Sequence, residues 1–507
     1  MVSCLKKTLT LALAGYHGVA VISRAELPGE PLQGHNFSAK FLRSAEVLPL
    51  SECDGEIAVA MTDPGDSSTI DSIKMLCNKP VRSYAASRSL ILDGIDRLYA
   101  ASTSESDSPA VAVVAQWSDR VEDSPIAKRV NDLVHKAVVS RASDVHLEQG
   151  VGATRVRFRI DGVLHDIESL PPDTGAKCCA RIKLISNLDV AERRLPQGGR
   201  FELDVDGHGI DLRVSSMPIS GGESVVLRIL HRTHTRIGLD NLGFSSTVTD
   251  AIDTCLRRGH GLMMVTGPTG SGKSTTLYSA LEKLNCTSKK LITVEDPVEY
   301  DLAGVNQIQV KPDLDFTFAA ALRSVLRQDP DIVMVGEVRD RETAAITIQA
   351  ALTGHLVLTT VHTNDAAASF ARLLDMDVEP YLLAATITGV LAQRLVRRLC
   401  MQCRVETTPD PQTAIWLGDN GGDQQVDPVY KAVGCERCAG TGYFGRTAVG
   451  EFIAVGESMS RLIRGEIDIE LIRADACRNG TVLLRQDAAR RVQTGETSMD
   501  EILRCVG

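Results

Sequence analysis

The clearest pattern of hydrophobic and polar positions lies between about residue 240 and residue 395. Short apolar runs alternate there with segments whose apolar residues recur at helical spacing. Four of the runs are rich in large aliphatic residues and are typical of buried strands, namely GLMMVTG, KLITVEDP, DIVMVGE and GHLVLTTVH. Strands that alternate with helices indicate a mostly parallel sheet. We therefore predict an α/β domain for this part of the chain.

Residues upstream of this domain show a different pattern, the alternation of half-buried strands. The segment TRVRFRIDGVLHDI alternates on both sides of Asp161-Gly162, a dipeptide that favours a tight hairpin turn. RFELDVDGHGIDLRVSSMP predicts a second hairpin and ESVVLRIL a further strand, while the segment after Pro125 predicts a helix followed by a strand. These elements predict a second, smaller α+β domain over residues 125–235.

The first hundred residues predict a small mixed domain. GEIAVAMTDPGD reads as a strand that ends in an Asp-Pro-Gly turn, and helices are predicted over Ser68–Leu76 and Ser89–Tyr99. Residues 101–124, which include STSESDSP, are small, polar and acidic, a composition typical of a flexible linker.

Composition narrows the class of protein. The chain has 507 residues, enough for about three domains, and a net charge of −10 that argues against nucleic acid as the main partner. The 13 cysteines are an odd number in a long chain, which favours a reducing compartment over a disulfide scaffold. We expect no signal peptide and no membrane span, so any contact with a membrane would be indirect.

A glycine-rich motif follows the first buried strand of the α/β domain. GPTGSGKST fits the P-loop pattern G-x-x-x-x-G-K-[ST]. Its glycines allow backbone N–H groups to approach phosphate oxygens, and the helix that follows adds the positive end of its dipole. The lysine would meet the β- and γ-phosphates, and the serine hydroxyl would ligate Mg²⁺. We predict that ATP binds to Gly267, Pro268, Thr269, Gly270, Ser271, Gly272, Lys273, Ser274 and Thr275.

Acidic residues follow two other buried strands. Glu337 ends the run IVMVGE, and Glu295, Asp296 and Glu299 lie in VEDPVEY. The carboxyl ends of parallel strands face the ligand crevice, and ATP hydrolysis needs a carboxylate that orients water or helps to hold Mg²⁺. Gly336 stands where an aspartate often precedes the glutamate, so Glu337 would act alone on the metal side. A helix cap or a solvated loop remains the alternative for each acid.

Two histidines, His355 and His362, flank the fourth buried strand. Together with Thr363 and Asn364 they could sense the γ-phosphate, because an imidazole can donate a hydrogen bond or carry charge near neutral pH. The alternative is that each is an ordinary core histidine, and the sequence leaves both interpretations open.

Two cysteine pairs have the spacing of a metal site. Four thiolates match the tetrahedral coordination of Zn²⁺, and no nearby residue suggests an open catalytic position. We predict a structural zinc site, with free thiols as the alternative, at Cys400, Cys403, Cys435 and Cys438.

Nine segments of the chain belong to one recurring set of motifs. They are ASDVHLE, VRFRIDGVL, RLPQGGRF, GPTGSGKSTTLY, TVEDPVEYDL, LRQDPDIVMVGEVRD, LTGHLVLTTVHTNDA, LAQRLVRRLC and GCERCAGTGYFGR. Taken together, they resemble the motifs of the secretion ATPases of type II secretion systems and type IV pili. The similarity covers about residues 125–453 and is greatest to the type II secretion branch, with a weaker match in the first hundred residues.

This resemblance implies a fold and a set of domains. It implies a RecA-like P-loop NTPase domain over residues 236–507, with a zinc-binding insertion at about 396–445 and a helical C-terminal end. The α+β domain at 125–235 would be PAS-like and would supply arginines to the nucleotide, and residues 1–100 would bind a membrane platform. No cyclic dinucleotide binding is expected, because the glycine-rich N-terminal repeat of some relatives is not visible.

The resemblance also assigns roles to single residues. Glu337 would be the Walker B glutamate, and the acids of VEDPVEY and the two histidines would form an aspartate box and a histidine box. The catalytic candidates that it implies are Glu337, Glu299, Glu295, Asp296, His355, His362, Arg200, Arg213 and Arg228. The three arginines would neutralise developing phosphate charge.

The implied function is a motor. A homohexameric ring would hydrolyse ATP in the cytoplasm, peripheral to the inner membrane through platform proteins, and would drive a pilus-like rod for protein export. Three alternatives remain: a pilus-extension ATPase, a DNA-uptake motor, which the acidic charge disfavours, and a nucleotide-gated scaffold without turnover.

Overall fold

A computed structural model supplies the fold, and contacts divide the chain into two units, Met1–His231 and Arg232–Gly507. The linker predicted at 101–124 lies outside the described residues except for Ser124, and the helix predicted over Ser68–Leu76 lies largely outside them. The structure describes residues 15–32, 37, 42–43, 45–53, 55–66, 69–70, 73–74, 77, 79–99, 124–205, 207–231, 237–311, 314–420, 428–465 and 467–506.

The N-terminal part of the first unit contains a three-stranded sheet. Strand β1 (Val47–Cys53) pairs antiparallel with β2 (Glu56–Met61), which pairs parallel with β3 (Val81–Ala85). Helix α1 (Arg88–Tyr99) buries Ile91 and Ile95 against the sheet's core. The strand predicted in GEIAVAMTDPGD and the helix predicted over Ser89–Tyr99 are therefore present.

The rest of the first unit is a six-stranded antiparallel sheet covered by two helices. Its elements are helix α2 (Pro125–Val139), β4 (Ala142–Gln149), β5 (Thr154–Ile160), β6 (Val163–Leu170), helix α3 (Pro172–Ile185), β7 (Gln197–Val205), β8 (His208–Ile219) and β9 (Gly222–His231). The strand order is β6-β5-β4-β9-β8-β7, and the alternation of the strands buries one face against the helices while the other face is polar. Asp161 and Gly162 both have positive φ, as the predicted hairpin turn requires.

A seven-stranded sheet forms the centre of the second unit. The four predicted buried strands are β10 (Gly261–Thr266), β11 (Leu291–Glu295), β13 (Ile332–Val335) and β14 (Leu356–Val361), and the remaining strands are β12 (Val305–Gln309), β15 (Ile387–Leu399) and β18 (Tyr443–Ala454). The strand order is β12-β11-β13-β14-β10-β15-β18, parallel except for the antiparallel β15–β18 pair at one edge. The predicted mixed α/β fold is confirmed.

Helices cover both faces of this sheet, with one apolar cluster on each face. The helices of this unit are α4 (Ser246–Arg257), α5 (Lys273–Leu284), α6 (Phe318–Val325), α7 (Arg341–Leu352), α8 (Ala368–Leu374), α9 (Pro380–Thr386), α10 (Pro411–Asp419), α11 (Glu457–Arg464), α12 (Ile469–Arg478), α13 (Leu484–Gln493) and α14 (Met499–Cys505). The last four of these helices, α11 to α14, correspond to the predicted helical C-terminal end. Two short strands, β16 (Val405–Thr407) and β17 (Val429–Lys431), pair beside α10 within the predicted zinc insertion.

Candidate nucleotide and zinc sites

The P-loop connects the central strand β10 to helix α5. Gly267, Gly270 and Gly272 all have positive φ, and Gly272 is the N-cap of the helix. A Cβ on Gly267 would stand 2.5 Å from the carbonyl oxygen of Gln393, so this turn has no room for a side chain. The loop is open on its other side, where Pro268, Thr269 and Gly270 are exposed. Sequence and packing thus give the concave backbone that a phosphate chain requires.

Lys273 lies at the first position of α5 with only 9% of its surface exposed. Its Nζ donates hydrogen bonds to the carbonyl oxygens of Gly267 (2.8 Å) and Pro268 (3.1 Å). Burial lowers the pKa of the Lys273 ammonium, and the nearby Glu337 carboxylate opposes that shift. A buried ammonium bonded only to neutral carbonyls, among the described residues, is suited to receive an anion.

The hydroxyl groups of Ser271 and Ser274 show whether the loop is suited to a nucleotide and its Mg²⁺. The buried Ser271 hydroxyl has no hydrogen-bond partner among the described residues, which is unusual for a buried polar atom. Ser274, by contrast, is exposed at the first turn of α5, where a metal-ligating hydroxyl is expected. An orphaned hydroxyl inside a glycine cradle fits ATP, and Ser274 and the neighbouring exposed Thr275 would face its Mg²⁺.

Glu337 lies at the carboxyl end of β13, one residue beyond Gly336. Its side chain is 13% exposed, with His362 Nε2 at 3.4 Å from one carboxylate oxygen and Arg339 Nη2 at 2.6 Å from the other. The Cβ of any residue at 336 would stand 3.2 Å from the carbonyl oxygen of Val294, which leaves little room for the usual aspartate. Glu337 and His362 are therefore brought together at the end of the sheet that holds the P-loop.

The loop after β14 is tied to the P-loop strand. The Thr363 N–H donates to the Thr266 hydroxyl at 2.8 Å, and Arg394 donates to the carbonyl oxygen of Asn364 at 2.6 Å. Burial lowers the pKa of the Arg394 guanidinium. These bonds fix the loop that carries His362.

Gln393, on the neighbouring strand β15, holds the P-loop from behind. Its Nε2 donates to the carbonyl oxygen of Ser271 at 2.7 Å, and its Oε1 accepts from the Thr276 hydroxyl at 2.8 Å. Sequence reasoning missed this residue. The available signal was a polar Gln-Arg pair inside the apolar run ITGVLAQRLV, since a fully buried amide needs specific partners.

The acids of VEDPVEY occupy different positions. Glu295 is buried on β11, where its carboxylate accepts from the Tyr278 hydroxyl, from Thr293 Oγ1 at 2.5 Å and from Gln307 Nε2 at 3.1 Å. Asp296 and Glu299 are exposed beyond the strand end. The bonds of Glu295 suit a residue that positions α5 against β11, and catalytic roles for all three acids stay predictions.

His355 and His362 lie at opposite ends of β14. His355 precedes the strand, and its Nδ1 lies 2.9 Å from the carbonyl oxygen of Ala350. Six strand residues separate the two histidines, a span of roughly 20 Å. Only His362 therefore lies at the end of the sheet where the P-loop lies. Within this unit the two histidines do not come together at one γ-phosphate, contrary to one of the two interpretations of the sequence.

Arg200, Arg213 and Arg228 form one row in the first unit. Arg200 on β7 lies opposite Arg213 on β8, which lies opposite Arg228 on β9. Directly opposite residues of paired strands share a face of the sheet, so the guanidinium groups are neighbours. Their predicted reach to the nucleotide stays a prediction.

The four predicted cysteines converge at the open end of the β15–β18 pair. Their sulfur atoms all lie within 4.8 Å of one another, with 3.8 Å between Cys400 and Cys435 and between Cys403 and Cys438. A tetrahedron with Zn–S bonds of about 2.3 Å has sulfur–sulfur edges of roughly 3.8 Å. The four residues therefore fit Zn²⁺.

Backbone donors surround the sulfur atoms as well. The N–H groups of Cys435 and Gly442 donate to Cys438 Sγ at 3.1 and 3.2 Å, and the Gly434 N–H donates to Cys403 Sγ at 3.3 Å. Burial would raise the pKa of the Cys438 thiol, yet the N–H groups of Cys435 and Gly442 and the neighbouring thiols lower it to about 6, whereas burial raises the pKa of the Cys403 thiol to about 11. A thiolate at neutral pH is the form that binds metal.

Comparison with known families gives two matches. Residues 119–504 match the model described as type II/IV secretion system protein, and residues 17–105 match the MshEN domain. The first match covers the polar six-stranded sheet, the P-loop and the cysteine cluster.

Several curated proteins are similar to most of the chain. Type II secretion system protein E of Xanthomonas campestris pv. campestris is 42% identical over 92% of this chain and 84% of its own length. Type II secretion system ATPase E of Vibrio cholerae is 43% identical over 76% of each chain. Type IV pilus assembly ATPase PilB of Myxococcus xanthus is 38% identical over 98% of this chain and 90% of its own.

Solved structures support the fold. The pilus retraction motor PilT with bound ADP has a TM-score of 0.50 and 28% identity, covering 74% of this chain and 95% of that one. The Legionella pneumophila ATPase DotB has a TM-score of 0.56 with the same coverages, and its 22% identity supports the fold alone. The predicted resemblance to secretion and pilus ATPases is confirmed, and with it the prediction of an ATPase at the level of family. The chain belongs to the type II/IV secretion system protein family.

Proposed function

We propose that the chain hydrolyses ATP at its P-loop in a homohexameric ring that drives pseudopilus assembly and protein export by a type II secretion system. The observation that carries the catalytic part is the position of Glu337, whose carboxylate lies beside His362 and within electrostatic reach of Lys273. The similarity to the secretion ATPases of Xanthomonas and Vibrio supports the biological part.

In this proposal the residues divide the chemistry between binding and hydrolysis. The P-loop and Lys273 bind the phosphates, and Ser274 faces Mg²⁺, which neutralises charge on the β- and γ-phosphates when bound. Glu337 accepts a hydrogen bond from the attacking water and orients it, while Arg339 and His362 fix its two carboxylate oxygens. Arg200, Arg213 and Arg228 supply positive charge as negative charge develops on the γ-phosphoryl oxygens.

The test is Glu337→Gln, which keeps the shape of the side chain but removes its negative charge. We expect phosphate release to fall by at least about 100-fold while ATP still binds, because only the water-orienting group changes. Glu342→Gln is the matched control, since Glu342 pairs with Arg323 on the exposed start of α7, 58% exposed. Unchanged release from Glu337→Gln would leave the nucleotide-gated scaffold as the better description.

A second candidate is a pilus-extension ATPase. The Myxococcus pilus assembly ATPase matches 98% of this chain, a larger share than the Xanthomonas relative matches, although at lower identity. Capture of a type II secretion platform protein by the full chain would favour the first candidate, and capture of a pilus platform protein only would favour the second.

The proposed location is the cytoplasmic side of the inner membrane, reached through platform proteins bound by residues 1–100. Among the described residues, none of the helices has the length and apolar character that a membrane crossing requires. The domain limits proposed from sequence, 125–235 and 236–507, assign the arginine row to the smaller domain and the P-loop to the larger one.

A further inference from the structure

One row of charged residues crosses five adjacent strands of the first unit's larger sheet. Beyond Arg200 and Arg213, the row continues from Arg228 on β9 to Asp144 on β4 and then to Arg159 on β5, each directly opposite the next. The row therefore contains four guanidinium groups and one carboxylate. Neither Asp144 nor Arg159 was singled out from the sequence.

Asp144 is the buried member of this row. Its side chain is 7% exposed, and its Oδ1 accepts from Arg228 Nε at 3.0 Å. Its Oδ2 accepts from the Ser143 hydroxyl at 2.8 Å and lies 3.7 Å from Arg159 Nε. One buried carboxylate therefore lies between two guanidinium groups, hydrogen-bonded to Arg228 Nε and within ion-pair distance of Arg159 Nε.

Arg228 has a different exposure from the carboxylate that binds it. Its side chain is 63% exposed, and within the described part of the chain no hydrogen bond to its two terminal nitrogens is found. A guanidinium anchored at Nε keeps its other N–H groups in a fixed fork, the geometry that binds phosphate oxygens in pairs. The anchor thus orients the arginine without occupying its phosphate-binding side.

The terminal N–H groups of Arg228 are suited to bind an anion. Neighbouring strands are about 4.8 Å apart, and Arg228 lies directly between Asp144 and Arg213, so an anion bound by these groups would also lie close to a second guanidinium group. We propose that Asp144 is a positioning residue that fixes Arg228, with Arg159 on its other side, so that Arg228 stabilises the negative charge that develops on the γ-phosphoryl oxygens during hydrolysis; this inference rests on the proposed function.

A neighbouring ion pair provides a matched control. Glu148 and Arg157 lie on the same two strands, β4 and β5, and form an ion pair in which both side chains are about one quarter exposed, 27% and 26%. Glu148 lies four residues along β4 from Asp144 and outside the arginine row. A purely structural cross-strand pair would behave alike at both places.

The experiment is steady-state ATPase of the full-length chain with Mg²⁺, comparing Asp144→Asn, Arg228→Ala, the double variant and Glu148→Gln. We expect Asp144→Asn to lower kcat by about 10- to 100-fold with KM for ATP changed less than about twofold, as for other residues that orient a catalytic group. The double variant should be no slower than Arg228→Ala, because Asp144 acts through that arginine. Glu148→Gln should keep the wild-type kcat.

Other results would overturn the inference in distinguishable ways. If Arg228→Ala loses activity while Asp144→Asn does not, or if the two losses multiply, positioning by Asp144 is refuted and the proposed ATPase stands. If Arg228→Ala is as active as wild type, the arginine row is not part of the site and the inference fails with it. A wild-type chain without ATPase activity would refute the proposed function itself.

One further variant keeps the test decisive if Asp144→Asn does not fold. Arg228→Lys keeps the positive charge but has no Nε donor and no fork, so we expect nearly the loss seen for Arg228→Ala. Wild-type activity of Arg228→Lys would overturn the inference, because charge alone would then be sufficient.

Discussion

At the residue scale, substitution of Lys273 tests the binding of ATP, the step that precedes hydrolysis. We predict that Lys273→Ala lowers ATP binding, and hydrolysis with it, by roughly 10- to 150-fold, the equivalent of one hydrogen bond to a charged group. Titration with a fluorescent ATP analogue measures the loss. Lys283→Ala is the control, because Lys283 lies at the other end of α5 and pairs with Asp253 on the surface. Equal affinities of the two variants would contradict the predicted P-loop contact.

Single residues also show what the sequence could and could not predict. The P-loop was predictable because its residues stand at fixed spacing within one segment, and so was each CxxC pair, although the two pairs meet only through the β15–β18 pairing. The hydrogen bonds of Glu295 were not predictable, because they join it to Tyr278 and Gln307, which come close to it only after folding. The two histidines could have been separated, because His355 precedes β14 and His362 follows it, and ligands lie at carboxyl ends.

At the scale of elements, strand β15 links the P-loop to the zinc site. It carries Gln393 behind the P-loop and ends at Leu399, one residue before Cys400. The alternation of strands and helices predicted β10, β11, β13 and β14, but it did not predict β15 and β18. Their pairing is antiparallel across the zinc insertion, and such a long-range contact leaves no signal in a local window.

The bonds of Gln393 lead to a prediction about this strand. Gln393→Met has a similar volume but removes both hydrogen bonds, which leaves the Ser271 carbonyl and the Thr276 hydroxyl without this partner. We expect a loss of about 1–3 kcal/mol in the free energy of unfolding and weaker ATP binding, because the P-loop is no longer held from behind. Gln349→Met, on the exposed side of α7, is the control. Chemical denaturation that shows equal stability for both would refute this role.

The zinc site predicts a local effect of metal removal. We expect about one zinc per chain by metal analysis, and we expect chelation or Cys435→Ser to increase hydrogen exchange in 400–443 while β10 and the P-loop stay protected. The reason is that the cysteines close only the outer end of the β15–β18 pair. Cys477→Ser, an exposed cysteine outside the cluster, should change neither quantity. Absence of bound zinc in the purified chain would refute the site.

At the scale of the whole molecule, the groups that the proposed function assigns to ATP hydrolysis belong to two separate units of the chain. The P-loop and Glu337 belong to the second unit, while the arginine row belongs to the first. Arginines that must be delivered to a nucleotide make turnover depend on a conformational step or on assembly, since their contribution to hydrolysis can reach several orders of magnitude. Slow hydrolysis by the isolated chain is therefore expected.

The partner that speeds this step separates the export motor from a nucleic-acid motor. We predict that the cytoplasmic domain of a type II secretion platform protein raises the ATPase rate of the full chain by at least about tenfold, and that Glu337→Gln stays inactive with it. DNA should not stimulate the enzyme even at low salt, because a chain with a net charge of −10 repels a polyanion. Stimulation by DNA that disappears with added salt would instead favour the uptake motor. No stimulation by the platform domain, at a chain concentration where hexamers form, would contradict delivery of the arginines by this partner.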